Sequence, residues 1–285
     1  YISVTGVQTC ALPIWGQPDV PAGQSDKEGP RMRLSSACMA LCAAIGVLFA
    51  GAANANSALE FFANAADSAI APDSDTLDMA GKAFTMEAWI KATGPQLGDG
   101  IIINKEDNYE MALRAGDVLM FALQAGAWDW FGGGKPTMNE WHHVAVTYDG
   151  TLTQGWIDGV AAPDPTEANG ADLAPQDSPF QVGRRVCCGT TPFLGIIDEV
   201  RVSDVVRYTD DFDLQKREFE TDANTRVLWH FNEGSGIDIA DDSGNDNDGE
   251  LEGGPQWTEG APIGAADVDL RGKVALRWGA IKAPY

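Results

Sequence analysis

The sequence is poor in the residues that soft-metal, redox and nucleic-acid chemistry most often use. Its 285 residues include five cysteines and three histidines, and 19 lysines and arginines stand against 42 aspartates and glutamates, a net charge of −23. Without a basic stripe, phosphate repulsion disfavours a nucleic-acid partner. The acidity suits solubility, salt tolerance or divalent-cation sites, and by itself chooses none of them. Three of the cysteines (Cys10, Cys38, Cys42) fall in the first 55 residues, which leaves only the neighbours Cys187 and Cys188. Adjacent cysteines bridge only by closing a strained ring, so a vicinal disulfide and a loop-borne pair without chemistry both stay open. No third Cys or His stands at ligand spacing beside them, which argues against zinc. There is no Gly-x-Ser-x-Gly elbow and no phosphate-cradling glycine loop that opens a helix; Gly132-Gly-Gly134 reads as a flexible turn. Beyond residue 55 no apolar run approaches the ~20 residues of a membrane-spanning helix.

The first residues divide from the rest. Val4 to Ile14 reads as the in-frame translation of a library adapter, and 1–31 is expected to be non-native read-through. Met32 and Arg33 then open an export leader, with an apolar run from Ala37 to Ala53 and the peptidase pattern Ala53-Asn-Ala55. The expectation is a signal peptide over 32–55, cleaved after Ala55, and an exported protein: extracellular, cell-surface or periplasmic. At the other end, 264–285 turns basic, with Arg271, Lys273, Arg277 and Lys282 and no acid after Asp269. A sorting or attachment tag and an ordinary terminal element both fit that tail.

Between these ends the chain is patterned as strands. Phe84-Thr-Met-Glu-Ala-Trp-Ile-Lys91 puts Phe84, Met86, Ala88 and Ile90 on one face. Ile101–Ile103, Tyr109–Leu113, Val118–Leu123, Trp141–Tyr148, Thr151–Ile157, Phe180–Gly183, Phe193–Val202 and Thr225–Phe231 follow, separated by Gly, Asp and Asn turns such as Asp149-Gly150. A short helix is possible over Asp213–Glu220. Short strands at regular spacing predict an all-β, two-sheet antiparallel sandwich over 56–263.

Five phrases in consistent order carry a resemblance. Phe84-Thr-Met-Glu-Ala-Trp-Ile90, Trp141-His-His-Val-Ala-Val-Thr-Tyr-Asp-Gly150, Trp156-Ile-Asp-Gly159, Phe193-Leu-Gly-Ile-Ile-Asp-Glu-Val-Arg-Val202 and Leu228-Trp-His-Phe-Asn-Glu-Gly-Ser-Gly236 resemble the bacterial LamG-type, concanavalin A-like domain. The last phrase often precedes the first strand in that family; here it follows the body, where it could close the sandwich from the other end. The resemblance implies a jelly roll of two antiparallel sheets that binds glycans or proteins, and in many members a calcium ion. Together with the leader, and without a carboxyl pair on one strand face, the expectation is an exported, non-catalytic carbohydrate- or surface-binding module for a polysaccharide or cell-surface glycan. A structural or protein-adhesive envelope domain, with a surface protein as partner, is the alternative, and a glycoside hydrolase on the same fold is a weaker one.

Candidate sites follow from alternation. Trp128 and Trp130, in Trp128-Asp-Trp-Phe131, would share a strand face as a platform for sugar rings, unless one of them is core. Asp198 and Glu199, as neighbours on a strand, would point to opposite faces and so cannot form the carboxyl pair that retaining glycosidases hold ≈ 5–5.5 Å apart. Glu199 would share the face of Ile197 and Arg201 and end in a short ion pair. His142 and His143 would likewise diverge, one inward and one to solvent. Asp198 would lie on the face of Ile196, Val200 and Val202, and a carboxylate there needs a cation or several hydrogen bonds. One structural Ca²⁺ held by Asp198, Asp242 and Asn245 would tie the acid-rich loop Asp238–Glu250 to the body. In the other reading Asp198 accepts backbone N–H bonds and the loop stays solvated.

Overall fold

Apolar residues at every second position of a strand must find a second layer, and this chain supplies two sheets that bury each other's inner faces. The computed structural model describes residues 56–79, 83–124, 127–163, 165–168, 173–185, 187 and 192–264. The expected read-through, leader and basic tail lie outside them, apart from Gly264.

The strands run β1 (Ser57–Phe62), β2 (Ser68–Ala71), β3 (Phe84–Ala92), β4 (Gly100–Lys105), β5 (Tyr109–Arg114) and β6 (Val118–Gln124). They continue with β7 (Trp128–Gly132), β8 (His142–Tyr148), β9 (Leu152–Ile157), β10 (Val160–Ala161), β11 (Thr166–Glu167) and β12 (Phe180–Val182). The last are β13 (Leu194–Ser203), β14 (Thr225–Trp229), β15 (Asp238–Ile239), β16 (Gly249–Glu252) and β17 (Gln256–Glu259). One sheet has the order β10-β9-β8-β3-β13-β1-β17, with β11 on β9 and β14 on β13. The other has the order β15-β16-β2-β12-β4-β5-β6-β7. The named pairings are all antiparallel. Among the described residues there is no helix, so none that could cross a membrane; Asp213–Glu220 is extended, with a bridge from Arg217 to Gly264.

Phe84, Met86, Ala88 and Ile90 of β3 meet Tyr109, Met111 and Leu113 of β5 in one core between the sheets, as the alternation predicts. Two closing strands come from the C-terminal side: β17 on β1, and β16 on β2. The expectation that the segment after Leu228 completes the sandwich is met. Its loop is organised by one carboxylate. Asp241 accepts the N–H groups of Leu228 (2.9 Å), Ser243 (3.0 Å) and Asn247 (3.0 Å) and the Ser243 hydroxyl (2.6 Å).

The outer face of the first sheet is also covered. Segment 205–220 lays Tyr208, Phe212 and Phe219 against His143 and Trp156. Beneath it Glu87, fully buried, accepts from Arg201 Nε at 2.8 Å, His143 Nε2 at 2.9 Å and the Tyr208 hydroxyl at 2.7 Å. Burial alone would push its carboxyl up; Arg201, then His143 and Tyr208, outweigh burial and hold it down at about 2.

Strand β13 departs from simple alternation. Its register against β3 shifts between Asp198 and Arg201, and Glu199 has φ 49°. At this bulge the neighbour of β13 changes from β1, paired over Leu194–Ile197, to β14, paired over Val200–Ser203. The extra residue makes Ile197, Val200 and Val202 the core set. Asp198 therefore does not join the face of Val200 and Val202, as strict alternation would have it. It stands opposite Trp89, which packs in the outer cluster with Phe219, Leu228 and Ala261. Glu199 does not pair with Arg201 either: it accepts Phe219 N–H at 2.7 Å and meets His230 Nδ1 at 2.7 Å, while Arg201 belongs to Glu87.

Candidate functional site

The outer face of the second sheet is built by the residues that alternate with its core set. Across the register Trp130 pairs with Ala122, Ala122 with Glu110, Glu110 with Asn104, Asn104 with Gln181, and Gln181 with Ile70. One row of side chains thus crosses six strands, from an aromatic edge on β7 to an apolar step on β2.

At the edge, Trp128 and Trp130 share the face as expected, both half-buried, while Phe131 between the sheets takes the core role. Their rings sit 6.2 Å apart at 90°, and the Arg114 guanidinium lies 3.9 Å from the centroid of Trp130. Arg114 donates Nε to Asp99 at 2.5 Å, so the cation that backs the indole is already neutralised.

The centre is polar and buried. Glu110 takes Asn104 Nδ2 at 2.9 Å and Arg185 Nη1 at 3.2 and 3.1 Å on its two oxygens. Burial raises its carboxyl to about 7 against the pull of Arg185. Glu106, in the turn after β4, lies 3.4 Å from the same Asn104 nitrogen, and burial, opposed chiefly by Arg185, raises it too. Alternation along a single strand does not reveal this carboxyl pair, which the β4–β5 hairpin assembles. Cys187, which is disulfide-bonded, places its sulfur 2.9 Å from Glu106; Cys188 lies outside the described residues.

Beside Asn104 the fully buried Gln181 has no hydrogen-bond partner on either Nε2 or Oε1, and Asn104 leaves its own Oδ1 unpartnered. Folded proteins seldom strand a whole amide, because each unmade bond keeps its desolvation cost. Past Ile70 the face ends in a cleft of about 410 Å³ lined by Ile70, Pro72, Asp238, Asp248, Glu250 and Glu252.

The three residues expected to hold calcium do not form one site. Asp198 Oδ2 accepts Ala261 N–H at 2.8 Å, as the backbone alternative foresaw. The Asp242 side chain is 61% exposed and 3.6 Å from His230 Nε2. Asn245 turns its nitrogen, not its oxygen, to the carbonyls of Thr225 (2.9 Å) and Arg226 (3.2 Å). Among the described residues no three His, Cys, Asp or Glu side chains gather as a metal-holding group. The donor set does not fit a calcium ion, and direct hydrogen bonds through Asp241 fasten the loop instead. Likewise His142 and His143 diverge: the first meets Asp158 at 2.6 Å near solvent, the second is the buried partner of Glu87.

No curated protein matches the chain in sequence. Among solved structures, a candidate carbohydrate-binding protein from Bacteroides ovatus is similar at 22% identity and TM-score 0.59, over 73% of this chain and 61% of that one. The chain thus spans less than two thirds of that protein. An arabinanase domain from Geobacillus stearothermophilus, in complex with arabinotriose, aligns at 22% identity over 47% of this chain and 64% of that one, with a TM-score of 0.36. A SAP-like pentraxin from Limulus polyphemus aligns at 12% identity over 55% and 80%, with a TM-score of 0.41. Residues 63–211, just over half of the chain, match the family model Laminin_G_3. They include β2 to β13, hence the residues of the polar row. With two antiparallel sheets, a shared core and that match, the chain belongs to the concanavalin A-like lectin/glucanases superfamily.

Proposed function

We propose that this chain is an exported, non-catalytic module that binds a neutral polysaccharide across the outer face of its second sheet. The observation that carries the reading is the pair of half-buried indoles, Trp128 and Trp130, which share one face at the edge of that sheet. A sugar ring offers an apolar face for an indole, and hydroxyls for the polar groups at the edge of the platform. The guanidiniums along the face are engaged, Arg114 by Asp99, Arg185 by Glu110 and Asp99, and Arg184 by Glu252, and the far edge keeps Asp238, Asp248 and Glu250 beyond that pair. Sulfated or uronic chains would meet repulsion there, so the ligand is uncharged. The likeness to the Bacteroides ovatus protein agrees with a carbohydrate ligand in general. Export rests on the Ala53-Asn-Ala55 leader pattern.

Glu106 and Glu110 give the hydrolase alternative its one specific footing. Hydrolysis needs one carboxyl free as nucleophile or base and one free as acid. Arg185 engages both oxygens of Glu110, which favours binding over cleavage.

Titration calorimetry with neutral glycans, on wild type and on Trp128→Ala and Trp130→Ala, tests the proposal. Each truncation is expected to cost about 0.5–1.5 kcal/mol, a two- to thirteen-fold loss of affinity. If both variants fold and bind every glycan as wild type does, the platform is wrong.

A further inference from the structure

The bulge of β13 leaves one carboxyl oxygen without a donor. Asp198 is fully buried; its Oδ2 takes the Ala261 N–H, and its Oδ1 has no hydrogen-bond partner. Beside it stands Asn56, the first described residue. Asn56 donates Nδ2 to the Ala261 carbonyl at 2.7 Å and accepts Gly260 N–H on its own carbonyl at 3.0 Å. Its amide and the Glu199 N–H both lie near enough to the Asp198 carboxyl to favour its charged form weakly, though neither makes a full hydrogen bond to Oδ1. Its Oδ1 is buried and unpartnered as well.

Two orphan oxygens thus flank one residue, Ala261, and both are acceptors. Two acceptors buried together without a donor are costly, and the group they lack is a cation or a bound proton. Among the described residues no basic side chain is seen to pair with Asp198: burial first, and then the neighbouring charge of Glu199, push its carboxyl up to about 8 against the N–H of Ala261 and weaker pulls from the Glu199 N–H and the Asn56 amide. No metal-holding group gathers around it among the described residues.

We propose that the missing donor is the α-ammonium of Asn56, created when the Ala55–Asn56 peptide bond is cut. The cut is a hydrolysis by an export peptidase: water adds across the bond, Ala55 leaves with a carboxylate, and Asn56 keeps an amine that takes up a proton. Its three N–H groups and single positive charge match an orphan carboxylate oxygen and an orphan amide oxygen. The Ala53-Asn-Ala55 pattern, read from sequence, puts the cut at the residue that touches the orphan pair. Removal of the leader would then do more than release the chain, because it completes a buried ion pair between β1 and β13. This inference rests on cleavage after Ala55 and is independent of glycan binding.

The test uses the full chain with a protease recognition sequence in place of residues 50–55, cut immediately before Asn56. Melting at pH 7 is followed before and after the cut. The Tm is expected to rise by about 4 °C or more on cutting. It should not rise when the cut leaves one extra alanine, nor in Asp198→Asn. No rise, or an equal rise in either control, overturns the proposal; the alanine control stands even if Asp198→Asn fails to fold. A melting point of the cut protein that falls with chelator and returns with calcium assigns the orphan oxygens to a metal and also overturns it. N-terminal sequencing of secreted protein should begin at Asn56, and any other start refutes the processing step.

Discussion

Glu87 is the residue whose replacement tests the packing of the outer layer most sharply. Glu87→Gln keeps the shape and removes the charge, leaving the Arg201 guanidinium, 8% exposed, without its counter-ion. Breaking a buried pair in this way costs about 3–5 kcal/mol. A second route gives the same size: a carboxyl held at about 2 against an ordinary 4.5 corresponds to about 3 kcal/mol. The sign follows from the depressed value. Its contribution is fully present above pH 4.5 and is lost as pH falls through 2, where the folded and unfolded chains are both protonated. Urea unfolding of wild type and Glu87→Gln at pH 7, 4.5, 3 and 2 measures it. At pH 7 the variant should be less stable by about 3 kcal/mol, and the two curves should converge near pH 2. A difference under about 1 kcal/mol at pH 7, or one that does not change with pH, refutes the assignment of Glu87 as an ionised hub. If the variant does not fold, the acid limb of wild type alone carries the test.

Three further outcomes are expected. Gln181→Met replaces the stranded amide by an apolar side chain of similar length, so it should stabilise the fold by about 1–3 kcal/mol and raise the melting temperature; a destabilised variant would mean that the amide is satisfied after all. Gly155→Ala would drive a Cβ to 2.2 Å from the Gly133 Cα, a backbone clash between β9 and the chain after β7, and should lower soluble yield and Tm more than Gly132→Ala, where a Cβ meets nothing. Purified protein should release no reducing sugar from polysaccharides it binds, and turnover abolished by Glu106→Gln or Glu110→Gln would instead make that pair catalytic.

Most of the architecture could be read from alternation because each strand of the body buries one face in the same core. Phe84 to Lys91 and Trp141 to Tyr148 appear as β3 and β8 within a residue or two, and the platform of Trp128 and Trp130 needs only the period of two. The chemistry that escaped depends on events without a periodic signature. The bulge at Glu199 occurs at a residue with no glycine to announce it, and it moves Asp198 from the expected inner face to the outer one. Arg201 found Glu87 rather than Glu199 because β3 and β13 are neighbours, a fact of sheet order and not of spacing. Gln181 sat in view between Phe180 and Val182, but a polar residue on an outer face is ordinary until its burial and its missing partners are known.

The order of the strands also sets a clock for the chain. β1 lies between β13 and β17, and β2 between β12 and β16, so the first two strands made have no neighbour until more than a hundred further residues have been synthesised. Contacts that close over such separations form slowly; the second sheet is not whole until Gly249–Glu252 is available, and the first not until Gln256–Glu259. A growing chain therefore stays open and threadable through most of its synthesis, and its unpaired early edges are what a holding chaperone would grip. Folding late is built into the sheet order.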